Sequence, residues 1–326
     1  MTHELAVDVR GLKKTFRIGF LRRKVVAVRD STFTVRRGEI YGLVGPNGAG
    51  KTTTIKMMMG LIAPDGGSAT IFGKPISDVA ARMHVGFLPE TPHFYDYLKP
   101  DEFLRYFGAL YNMPSEVVER RIPQMLELVG LAEAREKQLR KFSKGMLQRI
   151  GIAQALLPDS EFVLLDEPQS GLDPMGRKDV RDIIVGLRDR GKTVLFSSHI
   201  LPDVEQVCDR IAIIVRGTVT REGRLEELVE GGDAAIELTL RASGGALPPG
   251  YQVPEGATIG RTPAGDHLLH MPPHMDVNAV VRHALDHGFQ LREVHRHRRN
   301  LEEIFLAEAA KADAAAREGR LEEDAP

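Results

Sequence analysis

Gly45-Pro46-Asn47-Gly48-Ala49-Gly50-Lys51-Thr52 decides how the chain is read. The run fits G-x-x-x-x-G-K-[ST], a loop that wraps phosphate oxygens. An apolar run, Ile40 to Val44, precedes it, and the helix-like Thr53-Thr54-Ile55-Lys56-Met57-Met58-Met59 follows. Strand, glycine loop and helix in that order are the context the motif needs. Glycines let backbone N–H groups turn inward around an anion with no Cβ in the way. The next helix aims its positive end at the same anion. The spacing predicts a nucleotide site running from Gly45 through Pro46, Asn47, Gly48, Ala49 and Gly50 to Thr53. Lys51 should reach the β- and γ-phosphates, and the Thr52 hydroxyl should hold Mg²⁺.

A second run, Phe162-Val163-Leu164-Leu165-Asp166-Glu167, ends a buried-type strand in two acids. It delivers carboxylates to the sheet edge where a metal would sit. Asp166 should hold Mg²⁺, most simply through water. Glu167 is placed to take a proton from water attacking the γ-phosphate. Thr193–Phe196 and Ile211–Val215 are further short apolar runs separated by helical patterns, which reads as parallel strands covered on both faces.

Residues 5–9 and 25–35 alternate as strands around an irregular stretch. Between about 91 and 145 the pattern turns helical. Asp101 can cap a helix with Phe103, Leu104, Phe107 and Leu110 on one face, and Ser115 can cap the next, which Pro123 should kink or divide. Ser143 can cap another, with Leu147, Ile150, Ala153 and Leu157 at helical spacing. These features predict a nucleotide domain over 1–230 with a helical insertion at about 91–145. A smaller domain of strands and helices should open at Gly231-Gly232 and extend to 308, and 309–326 reads as a charged helix or disordered tail.

The 326 residues carry a formal net charge of −1 with 27% charged residues, so nothing pulls the whole chain toward nucleic acid. The single cysteine, Cys208, allows no internal disulfide. Met1-Thr2-His3-Glu4-Leu5 lacks the apolar core of a signal peptide, and no apolar run approaches the roughly 18–20 residues of a membrane helix. A chain of this kind meets a membrane only through a partner.

Phe142-Ser143-Lys144-Gly145-Met146-Leu147-Gln148-Arg149 resembles the signature sequence of ABC transporter ATPase subunits. It stands shortly before Asp166-Glu167, as that family requires. Ser170-Gly171-Leu172-Asp173 resembles the family's D-loop, and His199 falls where its switch histidine is found. The resemblance spans about residues 5–230. It implies a P-loop ABC ATPase fold of α/β class, with a mixed sheet core, an antiparallel subdomain and a helical insertion. It also implies that two such domains sandwich ATP head to tail. Ser143, Lys144 and Gly145 of one would then face the γ-phosphate held by the other. His199 would hold the attacking water, and Asp173 would act across the interface.

Two departures from the usual pattern are informative. Lys144 stands for a glycine and Met146 for a glutamine, a form that resembles the subgroup serving ABC-2-type permeases, mostly exporters. Glu90 aligns with the family's Q-loop glutamine; as a carboxylate it can meet Mg²⁺ or water but cannot donate a hydrogen bond when ionised. Phe16 resembles the family's adenine-stacking aromatic, with Phe20 as a rival.

The resemblance implies an ATP- and Mg²⁺-dependent subunit at the cytoplasmic face of the membrane. It would be paired with a like subunit and would drive a separate permease. The competing readings are an ABC ATPase acting on ribosomes or DNA, and an ATP-gated scaffold. Seven of the eleven histidines lie in 267–297, where the i,i+4 pair His283 and His287 is a candidate metal pair set against a solvated surface. That region resembles the small C-terminal domain of many ABC-2-type ATPases, including Leu301-Glu302-Glu303-Ile304-Phe305.

Overall fold

The computed structural model describes residues 4–19, 22–230, 236–242, 244–272, 274–296 and 300–323. Phe20, Gly231-Gly232 and His297 lie outside them. The chain forms two compact units, Met1–Leu225 with Phe305–Pro326, and Glu226–Ile304. Residues 305–308, read from sequence as part of the smaller domain, thus cluster with the first unit.

The strands of the first unit are β1 (Leu5–Ile18), β2 (Arg23–Arg36), β3 (Ile40–Val44), β4 (Gly66–Ile71), β5 (Lys74–Pro75), β6 (Val85–Leu88), β7 (Phe162–Leu165), β8 (Thr193–Ser198), β9 (Arg210–Val215) and β10 (Thr218–Arg224). Its helices are α1 (Lys51–Met58), α2 (Pro100–Leu110), α3 (Ser115–Leu128), α4 (Lys144–Leu156), α5 (Pro174–Asp189) and α6 (Leu201–Val207), followed by α7 (Leu225–Glu230) at the boundary. The sheet order is β5-β4-β1-β2-β10-β9-β3-β8-β7-β6. Strands β9, β3, β8, β7 and β6 run parallel, and the β5-β4-β1-β2 arm is antiparallel. All residues of β3, β7 and β8 are buried, as the continuous apolar runs require of a sheet covered on both faces.

Strands β1 and β2 are longer than their alternation suggested. They pair from Leu5↔Arg36 to Ile18↔Arg23, and the irregular stretch is absorbed as register shifts between Val9 and Thr15, with one more between Leu5 and Val7.

The helical insertion corrects four expectations. Pro100 takes the first helical position of α2, where its fixed φ suits the turn and no N–H is needed. Asp101 therefore lies inside the first turn, bonded to Arg135, rather than at the cap. Ser115 is likewise the first residue of α3 rather than its cap. Pro123 does not divide α3. It removes one hydrogen bond, while Val118, Ile122, Met125 and Leu126 keep the face packed. Leu110, assigned to the apolar face of α2, is exposed, whereas Phe103 and Leu104 are buried. Ser143 does cap α4, its Oγ accepting from Met146 N at 3.3 Å.

The second unit contains β11 (Ile236–Ala242), β12 (Thr258–Arg261), β13 (His267–Met271), α8 (Val277–Asp286) and β14 (Phe289–Arg296), in the antiparallel sheet order β12-β13-β11-β14. Its core is Ile236, Leu238, Leu240, Leu269, Met271, Val280, Ala284 and Phe289. Strand β12 was not legible beyond the Gly/Pro-rich stretch. His283 and His287 touch with ring centroids 4.4 Å apart, and each has a nitrogen on a backbone carbonyl. Among the described residues no cluster of three or more His, Cys, Asp or Glu could hold a metal. Helix α9 (Leu301–Glu323) begins in this unit, with Asn300 accepting from Glu303 N at 2.8 Å, and continues into the first. No described helix is long and apolar enough to cross a membrane.

Candidate nucleotide site

Strands β3, β8 and β7 lie side by side and parallel, so the loops at their carboxyl ends converge, the place where open α/β sheets bind ligands. After β3 comes the glycine loop. A Cβ on Gly45 would collide with the Ile214 carbonyl, and Gly50 has φ 107° against the Ala27 carbonyl. The loop is thus a tight backbone turn pressed on its neighbours. Lys51, 5% exposed, folds over it and donates to Gly45 O at 2.7 Å and Pro46 O at 3.1 Å.

After β7 come the two acids. Asp166 Oδ1 accepts from Thr52 Oγ1 at 3.1 Å and from Ser197 Oγ at 2.7 Å. Its Oδ2 is buried with no hydrogen-bond partner among the described residues. A hydroxyl beside a carboxylate with a spare oxygen is a hard-oxygen donor set that suits Mg²⁺. Glu167 sits in the left-handed region at φ 50°, with its N–H on Ser197 Oγ at 2.8 Å. Its Oε1 is 3.0 Å from Lys51 Nζ, and its Oε2 is 2.8 Å from His199 Nδ1 after β8. The Lys51–Glu167 ion pair and the bridging Ser197 were missed from sequence. The one signal for Ser197 is that two hydroxyls, Ser197-Ser198, end an otherwise apolar strand just before His199.

Burial, together with the fields of Glu90 and Glu167, holds the Asp166 carboxyl above its ordinary pKa. The folded chain then keeps that proton to higher pH than the unfolded chain. This contribution to stability is whole below the usual Asp value near 4 and is lost as pH rises through the folded value. Asp166→Asn removes the cost and aims its amide at an acidic surround. In metal-free protein at pH 7 we expect a gain of about 0.5–2 kcal/mol in urea denaturation, together with loss of ATP turnover. An Asp166→Asn protein less stable than the parent would contradict the assignment.

Most of the residues singled out in the sequence line one of two clefts. Phe16, half-buried, lines one with Val25, Val26, Ala27, Asn47 to Thr53, Glu90 and Glu167. Ser143, Lys144, Gly145 and Asp173 line another with Gly171, Leu172 and Gly176. Asp173 Oδ1 accepts from Gly176 N at 2.9 Å and caps α5. Among the described residues, the two sets line different clefts.

A glycine phosphate loop, a strand-end acid pair and a separate helix-cap cleft on a mixed sheet define a P-loop ATPase cassette. The family model for "ABC transporter" matches residues 28–170. An uncharacterized ABC transporter ATP-binding protein of Synechocystis is 43% identical over 303 residues, 92% of this chain and 83% of that one. A fluoroquinolones export ATP-binding protein of Mycobacterium tuberculosis is 39% identical over 246 residues, 74% of this chain and 78% of that one. The solved ATP-binding subunit of an ABC transporter is 33% identical with a TM-score of 0.59, covering 68% of this chain and 91% of that one. A dimeric ATP-binding cassette holding ADP and phosphate shares the fold at 23% identity and TM-score 0.61, over 67% of this chain and 98% of that one. The chain belongs to the ABC transporter ATP-binding proteins. It binds and hydrolyses ATP as a transporter subunit, a role that implies a dimeric cassette and a membrane permease partner.

Proposed function

We propose that the chain works at the cytoplasmic face of the membrane and drives an ABC-2-type permease in export. Relatives named for export of fluoroquinolones and of Nod factor support the direction. The observation that carries the mechanism is the separation of the site residues into two clefts. In this reading each ATP lies between the glycine loop of one molecule and Ser143, Lys144 and Gly145 of another.

Backbone N–H groups of Gly45 to Thr53 and the Lys51 ammonium hold the phosphates, and Phe16 stacks on the base. Thr52 and Asp166, with Glu90 at the rim, would hold Mg²⁺. The metal, when bound, neutralises charge on the phosphate oxygens. Glu167 takes the proton of the attacking water, and His199, already bonded to Glu167, keeps that water in line. Asp173 acts across the interface, tying the partner's site to the cap of α5. The second unit serves as an accessory domain.

The permease docks on the helical insertion. There Tyr95, Tyr97, Tyr106, Leu110 and Tyr111 are all exposed, and Tyr95 and Tyr106 pack edge to face. Aromatics grouped at a surface are typical of interface anchors. Tyr97, 60% exposed, is the sharpest probe. Tyr97→Asp should change stability by less than about 0.5 kcal/mol and leave ATPase activity of the free subunit intact, yet abolish co-purification with the membrane subunit. The function is tested by co-expressing the chain with a membrane protein of about six spans and measuring ATP-driven movement of solute out of the cytoplasmic compartment. Co-sedimentation with ribosomes instead would reverse the reading.

A further inference from the structure

Helix α9 carries an acid where packing calls for an apolar residue. Along its described part beyond Phe305, Glu308 is the buried position, while Leu306, Ala307, Ala310 and Asp313 are exposed. A buried carboxylate needs a partner, and Glu308 has Arg221 Nε of β10 at 2.9 Å and Lys311 Nζ at 3.2 Å. Five residues before Arg221, Arg216 pairs with Asp313 of the same helix at 2.6 Å. The two arginines bracket the start of β10.

That segment touches the phosphate loop. The turn between β9 and β10 is Arg216-Gly217, with φ 48° and 82°. Gly217 N donates to Ala49 O, inside the glycine loop, at 2.9 Å. Gly217 O accepts from Arg29 N at 2.7 Å and from Asp30 N at 3.1 Å in β2. A Cβ at Gly217 would press on the Ala27 carbonyl, and Ala27 lines the nucleotide cleft. One ion pair therefore fixes α9 to the turn residue Arg216, a second fixes it to Arg221 within β10, and one backbone bond fixes the turn to the loop. Helix α9 is continuous with residues of the second compact unit, so it joins that unit covalently to the brace.

We propose that α9 is a positioning element for the phosphate loop: the Glu308–Arg221 pair, seconded by Asp313–Arg216, sets the β9–β10 turn and through Gly217 tunes ATP affinity. The exposed Asp313–Arg216 pair is worth little alone; the buried acid sets the register. The residues act through the loop and touch no reacting atom. The inference rests on the reading of Gly45 to Thr52 as the phosphate site.

The test uses the full chain with Glu308→Arg and the charge swap Glu308→Arg/Arg221→Glu. Steady-state ATPase kinetics and hydrogen exchange at the Gly217 amide are measured together. Glu308→Arg should raise KM for ATP about 5-fold, within the range by which substitutions along a coupling path shift affinity. The kcat should stay within about twofold, Gly217 should exchange faster, and the swap should restore both. A general loss of folding would lower kcat with KM unchanged and would not be repaired by the swap, and that pattern overturns the proposal. KM and Gly217 exchange both unchanged in Glu308→Arg overturns it equally. An unsubstituted chain that binds no ATP would overturn the site reading itself, which separates the two failures.

Discussion

Glu167→Gln should lower ATP turnover by about 10²–10⁴-fold, the usual share of a positioned general base, while ATP binding survives. Glutamine keeps the shape and leaves a neutral amide beside Lys51 in place of the carboxylate. The Ser197 bond goes to the backbone N–H and is untouched. What is lost is a basic oxygen for the proton of the attacking water. Because reopening follows hydrolysis in this account, the variant should accumulate as an ATP-loaded dimer. Phosphate release and sedimentation mass with ATP and Mg²⁺ check both halves. Undiminished phosphate release would remove Glu167 from the role of base.

Lys51→Met should have two separable effects. ATP affinity should fall roughly 100-fold or more, because an ammonium bonded to charged oxygens contributes about 1.5–3 kcal/mol per bond. Stability should fall as well. Lys51 and Glu167 are 5% and 6% exposed, and removing one partner of a buried pair costs about 3–5 kcal/mol. The double variant Lys51→Met/Glu167→Gln no longer buries a lone charge and should recover more than half of that loss without recovering ATP binding. Urea denaturation of the four proteins, with nucleotide titration, measures each effect. A Lys51→Met protein as stable as the parent would show that the ion pair contributes nothing. The same pair suggests an order of events: phosphate oxygens compete with Glu167 for Lys51, so ATP binding would itself free Oε1 of Glu167 for its proton.

The glycine loop and the strand-end acids were legible because each is local: a contiguous run on one element, with a spacing that a single strand-loop-helix unit dictates. The capping role of Ser143 was legible for the same reason. The Lys51–Glu167 pair was not, since it joins residues brought together only by the order β3-β8-β7. Ser197 was hidden likewise, as a polar atom between two acids from a neighbouring strand. The misplaced caps at Asp101 and Ser115 trace to Pro100 and Pro114, which set where each helix can start. The role of α9 was out of reach in sequence, where 309–326 reads only as charge. Its anchors, Arg221 and Glu308, are separated by the whole second unit.

In the proposed mechanism one chain carries two halves of different sites. Specific ATPase activity should be measured against protein concentration, with the mass of the species followed at each point. Activity per chain should rise with concentration and level off as the ATP-bound dimer becomes the main species. Activity per chain that stays constant down to concentrations where every molecule is a monomer would contradict it.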